Sequence, residues 1–133
     1  MKKMFLFASA LVFSVAVMAQ TQLKADDVVK FTRETHDFGK IKQGVPVTYF
    51  FEFKNVSDKP VVVENASASC GCTVPEKPEK PIAPGASGKI KVQYNAAAVA
   101  AFKKDVYIKL AGIDQPKTVH ITGEVVAGDP AKN

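Results

Sequence analysis

The chain has 133 residues, 47% of them hydrophobic and 23% charged, with a formal net charge of +5. That length suits one compact domain and is short for two. So small a charge, with no basic cluster, argues against nucleic acid as a partner.

The first 19 residues read as a removable export signal. Met1-Lys2-Lys3-Met4 is a short basic start, Phe5 to Val15 is an apolar run, and Val17-Met18-Ala19 supplies compact residues ahead of a cleavage point after Ala19. The run is too short to span a bilayer comfortably, and a polar segment follows it. No transmembrane segment is therefore expected once the signal is removed, and no Cys follows it to take a lipid. The expected mature chain keeps 16 basic and 13 acidic residues and has neither Met nor Trp. It is expected to be periplasmic or otherwise exported. Residues 20–27 read as an N-terminal linker, 28–127 as the folded domain and 128–133 as a flexible tail.

From Val28 onward the apolar residues recur with a period of two, the signature of half-buried strands. Val28 to Phe31 opens the pattern and His36 to Ile41 continues it, before a turn at Lys42-Gln43-Gly44. Val47, Tyr49, Phe51 and Phe53 then form the inward face of a strand. Phe50 is the exception on the outward face, where a neighbouring segment is expected to shield it. Asn55 to Pro60 has turn chemistry, since Asn and Asp bond their own backbone and Pro fixes φ. A further strand runs from Val61 and Val63 toward Ser69.

Cys70-Gly71-Cys72 interrupts the alternation, and Pro75, Pro78, Pro81 and Pro84 space out the loop that follows. Ile90, Val92 and Tyr94 face inward on the next strand, with Lys89, Lys91 and Gln93 opposite. Ala96 to Ala101 is too short for a stable helix and reads as a connection. Val106, Ile108 and Leu110 alternate next, then Val119, Ile121 and Val125. Gly123 falls on an inward position, which points to a close backbone approach or a bulge. About seven short strands without a convincing helix predict an all-β, immunoglobulin-like antiparallel β-sandwich.

Cys70 and Cys72 are the only cysteines, so an immunoglobulin-type bridge between distant strands is excluded. A bridge between them closes a loop of three residues, for which chain entropy contributes only about 1.6 kcal/mol. In an extended strand the two lie near the limit of disulfide reach, and Gly71 is expected to permit the sharp turn that brings them together. Three readings stay open. The pair is a local structural element; or it is a thiol-redox site, because a tight ring exchanges readily; or it is half of a soft-metal site. Redox enzymes more often space the two cysteines by two residues at a helix N-terminus, and a metal needs further ligands. His36 and His120 are the only histidines. Asp37 is a poor orienting partner for His36, because adjacent strand residues face opposite ways. No catalytic residues and no cofactor-binding residues are expected.

His36-Asp37-Phe38-Gly39-Lys40-Ile41, Phe51-Glu52-Phe53-Lys54-Asn55 and Ala68-Ser69-Cys70-Gly71-Cys72-Thr73-Val74-Pro75 together resemble a bacterial family, as do Ile82-Ala83-Pro84-Gly85 and Ile121-Thr122-Gly123-Glu124-Val125. It is the domain-of-unknown-function family numbered fifteen seventy-three, and the resemblance runs from about Phe31 to Val126. The resemblance implies envelope proteins with an immunoglobulin-like sandwich, akin to the domains of Hydin and major sperm proteins, and no established activity. Ala96 to Ala101 departs from the more polar, glycine-containing stretch usual in the family. The expected function is a non-enzymatic interaction or structural module of the bacterial cell envelope, with an unknown envelope protein as partner. The alternative is a thiol-redox or soft-metal-binding protein using Cys70 and Cys72.

Overall fold

The computed structural model describes residues 21–128. The expected export signal, its cleavage point after Ala19 and nearly all of the expected tail lie outside the described residues. A single helical turn, α1 (Ala25–Val28), leads into β1 (Val29–Phe31). The remaining strands are β2 (Thr35–Lys42), β3 (Val47–Asn55), β4 (Val63–Ala68), β5 (Thr73–Glu76), β6 (Ser87–Tyr94), β7 (Ala101–Leu110) and β8 (Lys117–Val126). They form two four-stranded sheets. The front sheet has the order β1-β3-β6-β5 and the back sheet the order β2-β8-β7-β4.

Alternation decides which residues meet between the sheets. Phe51, Phe53, Ile90 and Val92 from the front sheet are buried with Val106, Ile108, Val119 and Ile121 from the back sheet. Each such side chain contributes about 1.5–3 kcal/mol when fully buried. Phe31, Phe38, Val47 and Tyr49, also expected inside, are only partly buried and pack against the margin of this core. Phe50 is not shielded as expected: it is 49% exposed on the outer face of the front sheet.

Several elements differ from the sequence reading. Val28 ends the helical turn rather than opening a strand, because the Asp27 carboxylate accepts the Lys24 N–H at 2.9 Å and closes that turn. The described part of residues 20–27 is tied to the sandwich. Ala25 is buried, Gln22 donates to Asp114 at 2.8 Å, and Lys117 Nζ donates to Asp26 at 2.6 Å and also to Glu34. Burial pulls the Lys117 pKa down, but its hydrogen bonds and charge attraction to Asp26 and Glu34 outweigh that and leave it above its ordinary value.

An eighth strand, β5, lies inside the segment read as a proline-spaced loop. Pro75 is tolerated there because β5 is an edge strand, where a missing N–H costs little. Val61 makes only an isolated bridge to Ile82, so β4 starts later, at Val63. All pairings are antiparallel except β2 with β8, which run parallel.

The string His36-Asp37-Phe38-Gly39 is a β-bulge in β2. The register shifts between Asp37 and Lys40, Gly39 adopts φ 68°, and Asp37 Oδ1 accepts the Gly39 N–H at 2.8 Å. This is the left-handed position that glycine occupies without penalty. The bulge brings the Gly39 carbonyl toward Gly123 on β8. A methyl group at Gly123 would lie 2.7 Å from the Phe102 ring and 2.9 Å from the Gly39 carbonyl oxygen. Gly123 is therefore a close-approach position, as its inward placement predicts. Phe102 in turn stacks on Tyr94 at 4.1 Å between ring centroids.

Among the described residues Asn55 is the one fully buried amide. Its Nδ2 donates to the carbonyls of Lys59 and Ile82 at 2.7 and 2.9 Å, while Oδ1 accepts from the Ser57 N–H and hydroxyl. One side chain thus ties the turn after β3 to the loop before β6. His36 faces inward at the edge of the back sheet and stacks on Tyr49, with centroids 3.7 Å apart and planes 8° apart. Its Nδ1 is buried without a partner. Burial first, and the positive charge of Arg33 second, hold its pKa below the ordinary value of 6.5 against the opposing pull of Asp37.

Three outcomes test this packing. Gly123→Ala is expected to cost about 1–3 kcal/mol in urea unfolding, and Phe102→Leu in the same chain to recover part of that loss. Asn55→Ala, which leaves two carbonyls without their donor, should cost about 2–4 kcal/mol. Because the folded state resists protonating His36, its contribution is complete above pH 6.5 and is lost as pH falls below that value. His36→Phe should therefore gain stability relative to wild type between pH 7 and pH 5, measured as paired melts across that range.

Candidate functional site

The Cys70-Gly71-Cys72 segment sits at a corner with a defined task. β4 is the edge of the back sheet and β5 the edge of the front sheet, and the three residues lie where the chain crosses from one to the other. Cys70 and Cys72 are joined by a disulfide across a Cα separation of 5.3 Å. Backbone contacts hold both flanks. The Ser69 N–H donates to Asp105 O at 3.0 Å, and the Asn95 N–H donates to Cys72 O at 3.0 Å. The corner is thus fixed to β7 on one side and to the end of β6 on the other.

Gly71 does not have the role expected for it. It is exposed, its φ lies outside the left-handed range, and nothing beyond the two neighbouring cysteines lies within 4 Å of where a Cβ would stand. The turn therefore does not require glycine on steric grounds.

The two cysteines differ in their surroundings. Both are half-buried, but only Cys72 packs against the hydrophobic core. Thr73, which opens β5, is 3% exposed, and its hydroxyl lies 3.7 Å from Cys72 Sγ and 3.9 Å from Cys70 Sγ. Against a bridged pair only the hydroxyl can donate; against a thiolate it would donate a charge-assisted bond. Thr73 was not singled out in the sequence, although its place directly after Cys72 is the signal that could have found it.

The histidines are not brought to the cysteines. Across the back sheet, Ser69, Asp105, His120 and Thr35 form one row, because Asp105 pairs with His120 and His120 with Thr35. His36 follows Thr35 on the far edge strand, three strand spacings or about 14 Å from the cysteine corner. His120 is two spacings away, about 10 Å, and its Nδ1 meets Asp105 Oδ1 at 2.6 Å on the outer face. This Asp–His pair was missed in the sequence because 15 residues separate its members and only the β7–β8 register joins them. It does not serve a nucleophile at Ser69, since Asp105 stands between the hydroxyl and the imidazole. Among the described residues no three His, Cys, Asp or Glu side chains converge as metal ligands, at the two sulfurs or elsewhere.

A second feature lies at the other end of the fold, where α1, the turn before Val61 and the β7–β8 turn meet. It is a cleft of about 430 Å³, lined largely by Leu23, Val28, Pro60, Val61, Leu110 and Ile113. No helix among the described residues is long and apolar enough to cross a membrane.

Solved structures share the architecture. A Porphyromonas gingivalis W83 protein of unknown function superposes with a TM-score of 0.62 at 14% identity, covering 73% of this chain and 46% of that one. A PapD-like (ASH) domain of human CEP192 gives 0.61 at 11% identity, covering 87% of this chain and 98% of that one. The secreted serine protease VesC of Vibrio cholerae gives 0.59 at 14% identity, covering 79% of this chain and 24% of that one. The chain thus spans less than half the length of the first and last of these, and at such identities the likeness shows the fold alone. Among curated proteins none matches the sequence. The family described as "Protein of unknown function (DUF1573)" matches residues 29–125, both sheets of the sandwich from β1 almost to the end of β8, and the chain belongs to that family.

Proposed function

We propose that this protein is an exported, non-enzymatic immunoglobulin-like module that binds another protein of the bacterial cell envelope. The observation that carries the reading is the exposed aromatic on the front sheet. Phe50 stands 49% exposed in the middle of β3, beside Thr48 and Glu52 and opposite Lys91 on β6. Val74 on β5 is 53% exposed and lies opposite Gln93 of β6 on the same sheet. The core is complete without either side chain. An aromatic ring set among polar side chains is the composition of an interaction hot spot with its polar rim. The cross-strand pairs Lys89–Glu52 and Lys91–Glu76, at 3.5 and 3.7 Å, frame that face and add little stability of their own.

The export signal expected over residues 1–19 supports a periplasmic or otherwise exported location, and the chain would meet its partner there. The immunoglobulin-like fold supports a binding role, because its two open sheet faces and its edge strands can be read by other proteins without any catalytic group. A photo-crosslinking residue at position 50, expressed in the native envelope, is expected to capture a discrete partner. Phe50→Glu should abolish recovery of that partner by conventional crosslinking while leaving unfolding within about 0.5 kcal/mol of wild type. Robust turnover of a substrate by the purified chain, with no partner captured, would overturn the proposal.

A further inference from the structure

We propose that Cys70–Cys72 is a thiol–disulfide exchange site that accepts electrons from the thiols of other proteins, with Cys70 as the attacked sulfur and Thr73 as the residue that stabilises Cys72 as leaving group. Three features of the corner, independent of the Phe50 face, carry this. First, a ring closed over three residues removes little freedom from the unfolded chain, so folding protects the bridge poorly against reduction. Second, Gly71 is exposed and sterically unnecessary, and without a side chain it opens an approach for the backbone of an incoming thiol-bearing segment. Third, the two sulfurs are unequal: only Cys72 packs against the core, and the buried Thr73 hydroxyl lies within 4 Å of both sulfurs.

The chemistry balances as follows. A thiolate of the incoming protein attacks Cys70 Sγ, forming a mixed disulfide and breaking the Cys70–Cys72 bond. Cys72 departs as a thiolate, into the hydrogen bond from the Thr73 hydroxyl. A second thiol of the same partner then attacks the partner's sulfur in the mixed disulfide, and Cys70 departs as a thiolate. Both cysteines take up protons released by the partner's two thiols. The partner dithiol is oxidised to a disulfide by two electrons, and Cys70–Cys72 is reduced to a dithiol. The exchange is a stoichiometric two-electron transfer between the chain and the protein it meets, and it adds to the binding role without making the chain a catalyst.

The leaving role explains why the hydroxyl belongs beside the inner sulfur. A thiolate next to apolar side chains is disfavoured unless a donor meets it, and a lowered thiolate pKa makes a faster leaving group. Thr73 is a positioning residue in this scheme, since it acts on the sulfur and not on the partner.

The test uses the full mature chain with dithiothreitol as the reducing dithiol, followed by acid quench, alkylation and intact mass. The native chain is expected to be reduced at least as fast as the same chain in 8 M urea. Native reduction 100-fold slower than in urea would make the bridge a protected structural link and overturn the proposal. With glutathione disulfide, reduced Cys72→Ser is expected to form a mixed disulfide at Cys70 at least tenfold faster than Cys70→Ser forms one at Cys72; equal rates would overturn the assignment. Gly71→Val should slow native reduction several-fold with an unchanged melting temperature, and an unaffected rate would remove the approach path. In the Cys70→Ser background, Thr73→Val should raise the pH midpoint of Cys72 alkylation. A purely structural threonine would shift stability and leave that midpoint where it was, which would overturn its role.

Discussion

Everything in this molecule depends on the contact between two apolar sheet faces. Phe51, Phe53, Ile90 and Val92 have no other place to be dry than against Val106, Ile108, Val119 and Ile121, and neither sheet is stable without the other. Once the faces close, the rest of the chain has to cross between them without leaving backbone groups unpaired. Local devices serve that need and shape the strands. The Asn55 amide satisfies one turn from inside, the Asp37–Gly39 bulge bends β2 over β8, and the cysteine corner carries the chain from the outer edge of one sheet to the outer edge of the other. The disulfide is a local feature of a fold whose stability comes from elsewhere.

The parts of the fold that were legible are those where periodicity and burial coincide. β3 and β6 alternate cleanly because each has one face on the core and one in water, and their inward residues were read correctly at Phe51, Phe53, Ile90, Val92 and Tyr94. Phe102 escaped notice because it lies at the start of β7, where it fills the space over Gly123 and stacks on Tyr94 of another sheet, neither of which leaves a local pattern. β5 escaped because prolines signal loops, and only its place at a sheet edge reconciles Pro75 with a ladder. Strand order left no local trace. The parallel pairing of β2 with β8 joins His36 to Ile121, and no turn between them announces it.

The site divides in the same way. The cysteine pair is visible in sequence because two cysteines one residue apart exclude the usual long-range bridge. Thr73 becomes meaningful only when β5 turns its hydroxyl back toward both sulfurs. The Asp105–His120 contact requires the β7–β8 register, and its distance from the cysteines requires the order of the whole back sheet. Gly71 shows the opposite case. A glycine between two cysteines suggests a backbone constraint, yet the space around it is empty and its conformation is open to other residues.

The β2–β8 pair also sets the order of events when the chain folds. Thr35 and His120 are 85 residues apart in sequence, and β2 has no other strand to pair with. Until β8 exists, the back sheet lacks its second strand, β2 has no ladder partner, and the front sheet's inner face is open along one side. Such long-range closure is slow compared with hairpin formation. A nascent chain of this protein therefore stays uncommitted until nearly all of the domain has left the ribosome.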